Sequence, residues 1–212
     1  MIKTSLLTLI VFVAAVQVVA QGREEVCVTN RNAPPVSAYY WPPDTKVKVF
    51  VVRGMFTPEQ RATLFAAMKT WSESNLQTGA GVSFAYAGDV NEVATCKGCL
   101  TVTRREVYKK DSKHYAFFNP LRQDQDGLLV SAWIDFDYAT TKPQALEGYM
   151  LHELGHGMGL WDCKSCQKNK TIMNGFPALN KDNGLIAPSN CDLKVVREVY
   201  ELQRRVDNNR LP

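Results

Sequence analysis

The chain has 212 residues, 45% of them hydrophobic and 22% charged, with a formal net charge of +4. This length and composition are typical of one globular domain with a sizeable core. The charge is too small to indicate a nucleic-acid partner. The sequence also contains no internal repeat and no low-complexity segment.

Residues 1–20 have the pattern of a signal peptide. Lys3 gives the positive start, an apolar run follows, and Val18-Val19-Ala20 fits a small-residue cleavage site. A membrane anchor is the alternative, but the run is shorter than the roughly 20 residues that a spanning helix needs, and polar residues interrupt it. We therefore expect cleavage after Ala20, secretion to the extracellular space and no membrane anchor.

Six cysteines in a secreted chain indicate disulfide bonds, although the sequence cannot choose among the 15 possible connectivities. Cys96-Lys97-Gly98-Cys99 and Cys163-Lys164-Ser165-Cys166 both have Cys-x-x-Cys spacing. Together they could form a structural four-cysteine zinc site. An oxidising compartment favours bridges over that zinc site.

Proline punctuates residues 21–44, which show little periodicity and are predicted to be an extended N-terminal arm or a short propeptide. The domain proper is predicted to be 45–212. Its first strand is Lys46 to Val52, and its first helix opens with Thr57 as N-cap, Pro58 at the first helical position and Gln60 closing a capping box. Leu64, Phe65, Met68 and Trp71 lie at helical spacing and are predicted to face the core.

Further strands are predicted at Val82 to Tyr86 and at Leu100 to Val107. A second helix is predicted from near Lys142 to about Met158. An amphipathic pattern from Cys191 to Arg204 predicts a C-terminal helix.

The second of these helices contains His-Glu-x-x-His. His152 and His156 lie four residues apart, so a helix places both imidazoles on one face, where they can bind one zinc ion. Glu153 can reach a water on that zinc without being a ligand. Gly159 can end the helix and turn the chain back, which allows Asp162 to be the third ligand. The fourth position is then left for water.

In this extended motif the sequence resembles the metzincin zinc endopeptidases, whose signature continues to a methionine turn. Thr171-Ile172-Met173-Asn174 resembles that turn, with Met173 below the metal. Most metzincins have His where Asp162 stands, whereas snapalysins have Asp. The resemblance implies an α+β zincin domain: a twisted mixed β-sheet with an edge strand over the cleft, the active-site helix, the methionine turn and a C-terminal helix.

Two more segments resemble matrixins in particular. His114 to Pro120 is similar to their edge strand, which implies that Tyr115, Ala116, Phe117 and Phe118 pair with an extended substrate. Ile134-Asp135-Phe136-Asp137 is similar to the strand that follows. Tyr115 and Asp135 replace the family's structural-zinc histidines, so we predict one catalytic zinc and no second zinc. Acidic residues of the calcium site are missing after Asp137, so calcium is not expected.

The resemblance also implies that Phe176 and Pro177 form an apolar wall of the substrate pocket. Matrixins keep their zymogen silent with a propeptide cysteine, but the sequence around Cys27 does not match their motif, so a disulfide is expected for Cys27. Asn169-Lys170-Thr171 is a glycosylation sequon at Asn169.

We therefore predict a secreted, monomeric zinc endopeptidase that acts on proteins or peptides with Glu153 as general base. The alternatives are a zinc-bound but catalytically silent binding or effector protein, and a structural domain with a chance motif. An intact Glu153 argues against the first alternative. The methionine turn and the matrixin-like strands argue against the second.

Overall fold

The computed structural model describes residues 27, 32–106, 116–167, 170–174 and 187–210. In chain order its elements are β1 (Lys46–Val52), α1 (Pro58–Asn75), β2 (Ser83–Val90), β3 (Cys99–Arg105), β4 (Ala116–Gln123), β5 (Leu129–Asp137), α2 (Pro143–Gly157) and α3 (Asn190–Arg210). The signal peptide predicted for residues 1–20 lies outside the described residues.

The five strands form one mixed sheet in the order β2-β1-β3-β5-β4. β1 is parallel to β2 and β3, β3 is parallel to β5, and only β4 runs antiparallel, at the sheet edge beside β5. The expected α+β arrangement of a mixed sheet with an antiparallel edge strand, a helix carrying the His-Glu-x-x-His motif and a C-terminal helix is confirmed.

Alternate residues of β1 and β5 lie on a buried face of the sheet. Val47, Val49 and Val51 of β1 are almost wholly inaccessible, and so are Ile134 and Phe136 of β5. This period of two is what a strand with one face on the core requires. The other face of β5 carries Asp135, which is buried beside Arg105, Asn119 and Trp133.

The capping box of α1 is confirmed: Gln60 N–H donates to Thr57 Oγ1, and Thr57 N–H donates to Gln60 Oε1. Leu64, Met68 and Trp71 are buried as expected. Phe65 is only partly buried and packs against Tyr86 of β2 at 4.9 Å between ring centroids. Trp71 links the two helices, because its Nε1–H donates to the Leu151 carbonyl in α2 at 2.7 Å.

Within the described residues, no helix is both long enough and apolar enough to cross a membrane. The N-terminal arm is part of the folded body at least from Asn32 onwards, because Ala33 and Trp41 are buried in the core. Farther upstream, Cys27 is bonded to Cys191 at the start of α3.

Candidate metal centre and active site

α2 presents both histidines toward one point. His152 Nδ1 lies 2.8 Å from the Ile172 carbonyl oxygen, and His156 Nδ1 lies 2.9 Å from the Leu160 carbonyl oxygen. A carbonyl oxygen only accepts, so each Nδ1 carries the proton in these hydrogen bonds. In a neutral imidazole this leaves Nε2 as the acceptor, which is the form in which imidazole binds a metal.

Gly159 provides the turn that returns the chain to α2. Its φ is 89°, in the left-handed region that favours glycine, and an added Cβ would lie 3.3 Å from Val199 and 3.5 Å from Tyr40. The turn closes with a hydrogen bond from Leu160 N–H to the Gly155 carbonyl at 3.1 Å. The chain can then reach Asp162, three residues later.

The structure brings Asp162 to the histidines. Asp162 Oδ1 is 3.1 Å from His152 Nε2 and 3.7 Å from His156 Nε2, and one ligand atom from each of the three residues lies within 4.8 Å of the others. Zinc–nitrogen and zinc–oxygen bonds are about 2.0–2.2 Å long, so ligand atoms around a tetrahedral zinc are a little over 3 Å apart. The spacing and the two-histidine, one-carboxylate set therefore fit zinc.

Glu153 lies beside this cluster. Its Oε2 atom is 3.9 Å from His156 Nε2, and its carboxylate accepts a hydrogen bond from the Phe118 backbone in β4. The Glu153 side chain is buried, and burial raises the pKa of its carboxyl group to about 7. β4 therefore holds the Glu153 carboxylate next to the three candidate ligands, and Glu153 is not one of those ligands.

Burial and close charges move the two histidine pKa values in opposite directions. Burial is the largest influence on the pKa of His152 and lowers it, but the hydrogen bond with Asp162 and the charges of Glu153 and Asp162 together raise the pKa to about 9. Burial and the neighbouring His152 lower the pKa of His156 to about 4. The cluster therefore favours one imidazolium at most.

Met173 lies under α2, fully buried. The approach is close: a Cβ on Gly155 would stand 2.6 Å from Met173 Sδ. The turn is also tied to the segment after Asp162, because Cys163 N–H donates to the Met173 carbonyl at 2.9 Å. Its preceding residue, Ile172, is the one that accepts from His152.

A buried carboxylate connects this turn to α3. Asp192 accepts hydrogen bonds from Ile172 N–H at 3.1 Å, from Ser189 N–H at 2.8 Å and from Ser189 Oγ–H at 2.9 Å, and also from the Thr171 hydroxyl. Asp192 N–H in turn donates to Ser189 Oγ, so Ser189 and Asp192 form a capping box at the start of α3. The same side chain caps a helix and holds the turn behind His152.

All six cysteines are paired: Cys27 with Cys191, Cys96 with Cys99, and Cys163 with Cys166. The expectation of disulfides is confirmed, and it holds for Cys27 in particular. Each Cys-x-x-Cys segment closes on itself, so the structure does not support a shared four-cysteine zinc site.

Of the predicted substrate-contacting residues, Ala116, Phe117 and Phe118 form the start of the edge strand β4. Tyr115, Phe176, Pro177 and the sequon residue Asn169 lie outside the described residues. The predicted absence of a second zinc and of calcium stays a prediction.

Two aromatic residues at the site, Tyr39 and Trp161, were not predicted from the sequence. The Tyr39 ring stacks on Phe118 at 5.9 Å and meets Trp161 edge-on at 6.2 Å. Phe118 and Trp161 lie 6.3 and 6.0 Å from the His156 ring. Trp161, immediately before Asp162, could have been noticed from its position. No local pattern marks Tyr39, which comes from the N-terminal arm.

No protein-family model matches the chain, and neither does any curated protein. Solved structures with a similar fold include metalloproteinase-II, myroilysin and archaemetzincin. Metalloproteinase-II from Bacteroides fragilis is 10% identical with a TM-score of 0.47, and the match covers 82% of this chain and 58% of that one. The chain therefore spans less than two thirds of metalloproteinase-II.

Myroilysin is 14% identical with a TM-score of 0.39, and the match covers 76% of this chain and 95% of myroilysin. Archaemetzincin from Methanopyrus kandleri is 13% identical with a TM-score of 0.36, again covering 76% and 95%. Because all three TM-scores are below 0.5, function has to be inferred from the site residues.

Proposed function

We propose that this protein is a secreted zinc-dependent endopeptidase of the metzincin type, with His152, His156 and Asp162 as ligands and Glu153 as general base. The observation that carries the proposal is the convergence of three ligand atoms within 4.8 Å, with a buried carboxylate beside them that is not one of the three. Three protein ligands with one open position are the composition of catalytic rather than structural zinc sites.

Zinc bound here would lower the pKa of a water from 15.7 to about 7 and polarise a substrate carbonyl. Groups of the protein itself transfer the protons and hold the site in place. Glu153 takes a proton from the attacking water and delivers it to the leaving nitrogen as the carbon–nitrogen bond breaks. The Phe118 backbone keeps the Glu153 carboxylate oriented. The carbonyls of Ile172 and Leu160 keep the imidazoles in the ligating tautomer.

Substrate would bind along β4. This strand is one of the two edge strands of the sheet, and Ala116, Phe117 and Phe118 lie at its start, next to the site. An extended peptide that adds to such an edge gains affinity from main-chain hydrogen bonds with little demand on sequence. The substrate class is therefore an unfolded or loop segment of a protein. The disulfides fit an oxidising, extracellular location.

The test uses the mature chain with zinc, a denatured generic protein as substrate, and a chelator arm. We expect hydrolysis that stops with chelator and returns with zinc. Glu153→Gln should keep zinc and fold while losing about 10²–10⁴-fold in rate, because a positioned acid–base group contributes that much. Bound zinc without any hydrolysis would support the silent binding protein instead. An active Glu153→Gln would refute the mechanism.

A further inference from the structure

The N-terminal arm runs directly beside the metal centre. Ser37 N–H donates to the Gly159 carbonyl at 2.7 Å, Trp41 N–H donates to the Gly157 carbonyl at 3.0 Å, and Trp161 N–H donates to the Pro35 carbonyl at 2.8 Å. Residues 35–41 are therefore fixed against residues 157–161, between the end of α2 and Asp162. A side chain in the middle of this stretch is therefore carried on backbone that is hydrogen-bonded to the site segment.

Tyr39 is that side chain. Its ring is nearly parallel to the Phe118 ring, with 11° between the planes, and its other contact is the edge of Trp161. Phe118 supplies the backbone donor to Glu153, and Trp161 precedes Asp162. A tyrosine side chain has only two torsions, so these aromatic contacts fix its ring at little entropic cost. Tyr39 is thus placed on the side of the cluster that faces the edge strand.

The electrostatics agree with this position. Burial raises the pKa of the Tyr39 phenol, a hydrogen bond with the Ser37 side chain acts in the opposite direction, and the carboxylates of Glu153 and Asp162 raise it further. The hydroxyl therefore stays protonated at neutral pH and remains a hydrogen-bond donor. The carboxylates that affect the Tyr39 pKa, those of Glu153 and Asp162, are also the ones that flank the reacting centre in the proposed function.

Peptide hydrolysis creates a need for such a donor. When water oxygen bonds to the peptide carbon and Glu153 takes a water proton, the carbonyl π electrons move onto the carbonyl oxygen, which gains negative charge. Among the described residues, His152 and His156 each lie within ion-pair distance of Asp162, and His156 also lies within that distance of Glu153. A neutral donor aimed at that oxygen stabilises the charge more in the transition state than in the substrate.

We propose that Tyr39 donates a hydrogen bond from its phenolic hydroxyl to the carbonyl oxygen of the scissile peptide as that oxygen becomes negative. This rests on the proposed peptidase function. Tyr39 keeps its proton throughout and is neither base nor metal ligand. The arm is then a permanent part of the active site rather than a segment to be removed.

The decisive comparison is Tyr39→Phe with Tyr40→Phe. Both variants lose one hydroxyl from neighbouring residues and keep the ring. The Tyr40 hydroxyl donates to Gln203 Oε1 in α3 at 2.8 Å, and its ring packs against Tyr200. We expect Tyr39→Phe to lower kcat by about 10²-fold, at the low end for an oxyanion donor, with KM within about threefold and zinc affinity unchanged. Tyr40→Phe should leave all three values near those of the unsubstituted protein.

A binding measurement tests the same role without turnover. A phosphinic peptide carries a tetrahedral anionic group in place of the scissile bond, whereas the matching peptide product does not. Tyr39→Phe should weaken binding of the phosphinic peptide to the zinc-loaded protein by about tenfold or more and leave product binding unchanged. If both ligands weaken equally, if only KM changes, or if zinc affinity falls, Tyr39 is not an oxyanion donor.

Failure of the proposed function would look different. An unsubstituted protein that binds zinc but hydrolyses nothing would refute the peptidase proposal, and the Tyr39 proposal as a catalytic role would fall with it. Hydrolysis by the unsubstituted protein together with equal rates for Tyr39→Phe and Tyr40→Phe would refute the Tyr39 proposal alone.

Discussion

Replacing Asp192 by Ala should destabilise the fold and the metal centre together. Four hydrogen bonds end on this buried carboxylate: two from backbone N–H groups of Ile172 and Ser189, and two from the hydroxyls of Thr171 and Ser189. The Ser189 hydroxyl has a second partner in the Lys170 carbonyl, so it can be satisfied after the substitution. Among the described residues, the structure shows no second acceptor for the two N–H groups.

At about 1 kcal/mol net for each of the four hydrogen bonds, with some recovery by the hydroxyls, the loss is roughly 3–4 kcal/mol. Folded domains are stable by only about 5–15 kcal/mol, so a loss of this size is easily measured. Asp192→Asn keeps the shape and one acceptor oxygen, so it should cost less, about 1–2 kcal/mol.

Urea unfolding followed by tryptophan fluorescence, in zinc and in chelator, gives these free energies. Because Ile172 accepts from His152, zinc affinity should also fall by about 10-fold or more in Asp192→Ala. The control is Asp207→Ala in the same helix, whose carboxylate is exposed and accepts from Gln203; it should change stability by less than about 0.5 kcal/mol. A loss below about 1 kcal/mol in Asp192→Ala, with zinc affinity unchanged, would show that the carboxylate does not hold the turn.

Three further predictions follow from the site. Asp162→Ala should weaken zinc binding and activity together, whereas Asp162→His should retain zinc if the loop accepts the larger ring; full affinity in Asp162→Ala, measured by competition with a chelating dye, would place the third ligand elsewhere. Replacing Cys163 and Cys166 by Ser should weaken zinc binding about tenfold, because that bridge directly follows Asp162; an equal effect of replacing the matching Cys96–Cys99 pair would refute a local role. Gly155→Ala should destabilise the protein to thermal unfolding, because overpacking against Met173 costs about 1–3 kcal/mol and helix propensity returns only about 1 kcal/mol; a raised Tm would contradict this.

Local signals predicted most of the elements. The bounds of β1 match the alternating Lys and Val residues, and the capping box at Thr57 marks the start of α1, because both patterns depend on near neighbours in the chain. The observed ends differ from the predicted ones where the local pattern stops. β2 continues beyond Tyr86 to Val90, and α3 continues beyond Arg204 to Arg210. Exposed polar residues at the ends of elements carry no periodic signal, so such extensions are not visible in the sequence.

The ligand set was predictable for the same reason, since His152, His156 and Asp162 lie within eleven residues of chain. What surrounds them was not. Tyr39 lies more than a hundred residues upstream of His152 in the sequence, and Asp192 lies thirty residues downstream of Asp162. Only the packed chain places their side chains, and neither residue type is unusual where it stands.

The pairing of the cysteines has a consequence for how the chain is oxidised. Cys27 is the first cysteine to be synthesised and its partner Cys191 is the last, 164 residues later, with the other four between them. Each of the other two bridges joins cysteines only three positions apart, so each closes a much smaller loop at a lower entropic cost. Once both have closed, only one of the 15 connectivities remains for the outer pair.

The short pairs thereby protect a long-range bridge from wrong partners. Trapping free thiols during oxidative refolding should show Cys27 and Cys191 as the last to react. Removing either short pair should leave the long bridge correct, whereas removing one cysteine of a short pair should produce species in which Cys27 or Cys191 is joined to the cysteine left behind. If such single substitutions still gave only the Cys27–Cys191 bridge, the folded contacts and not the order of oxidation would determine the pairing.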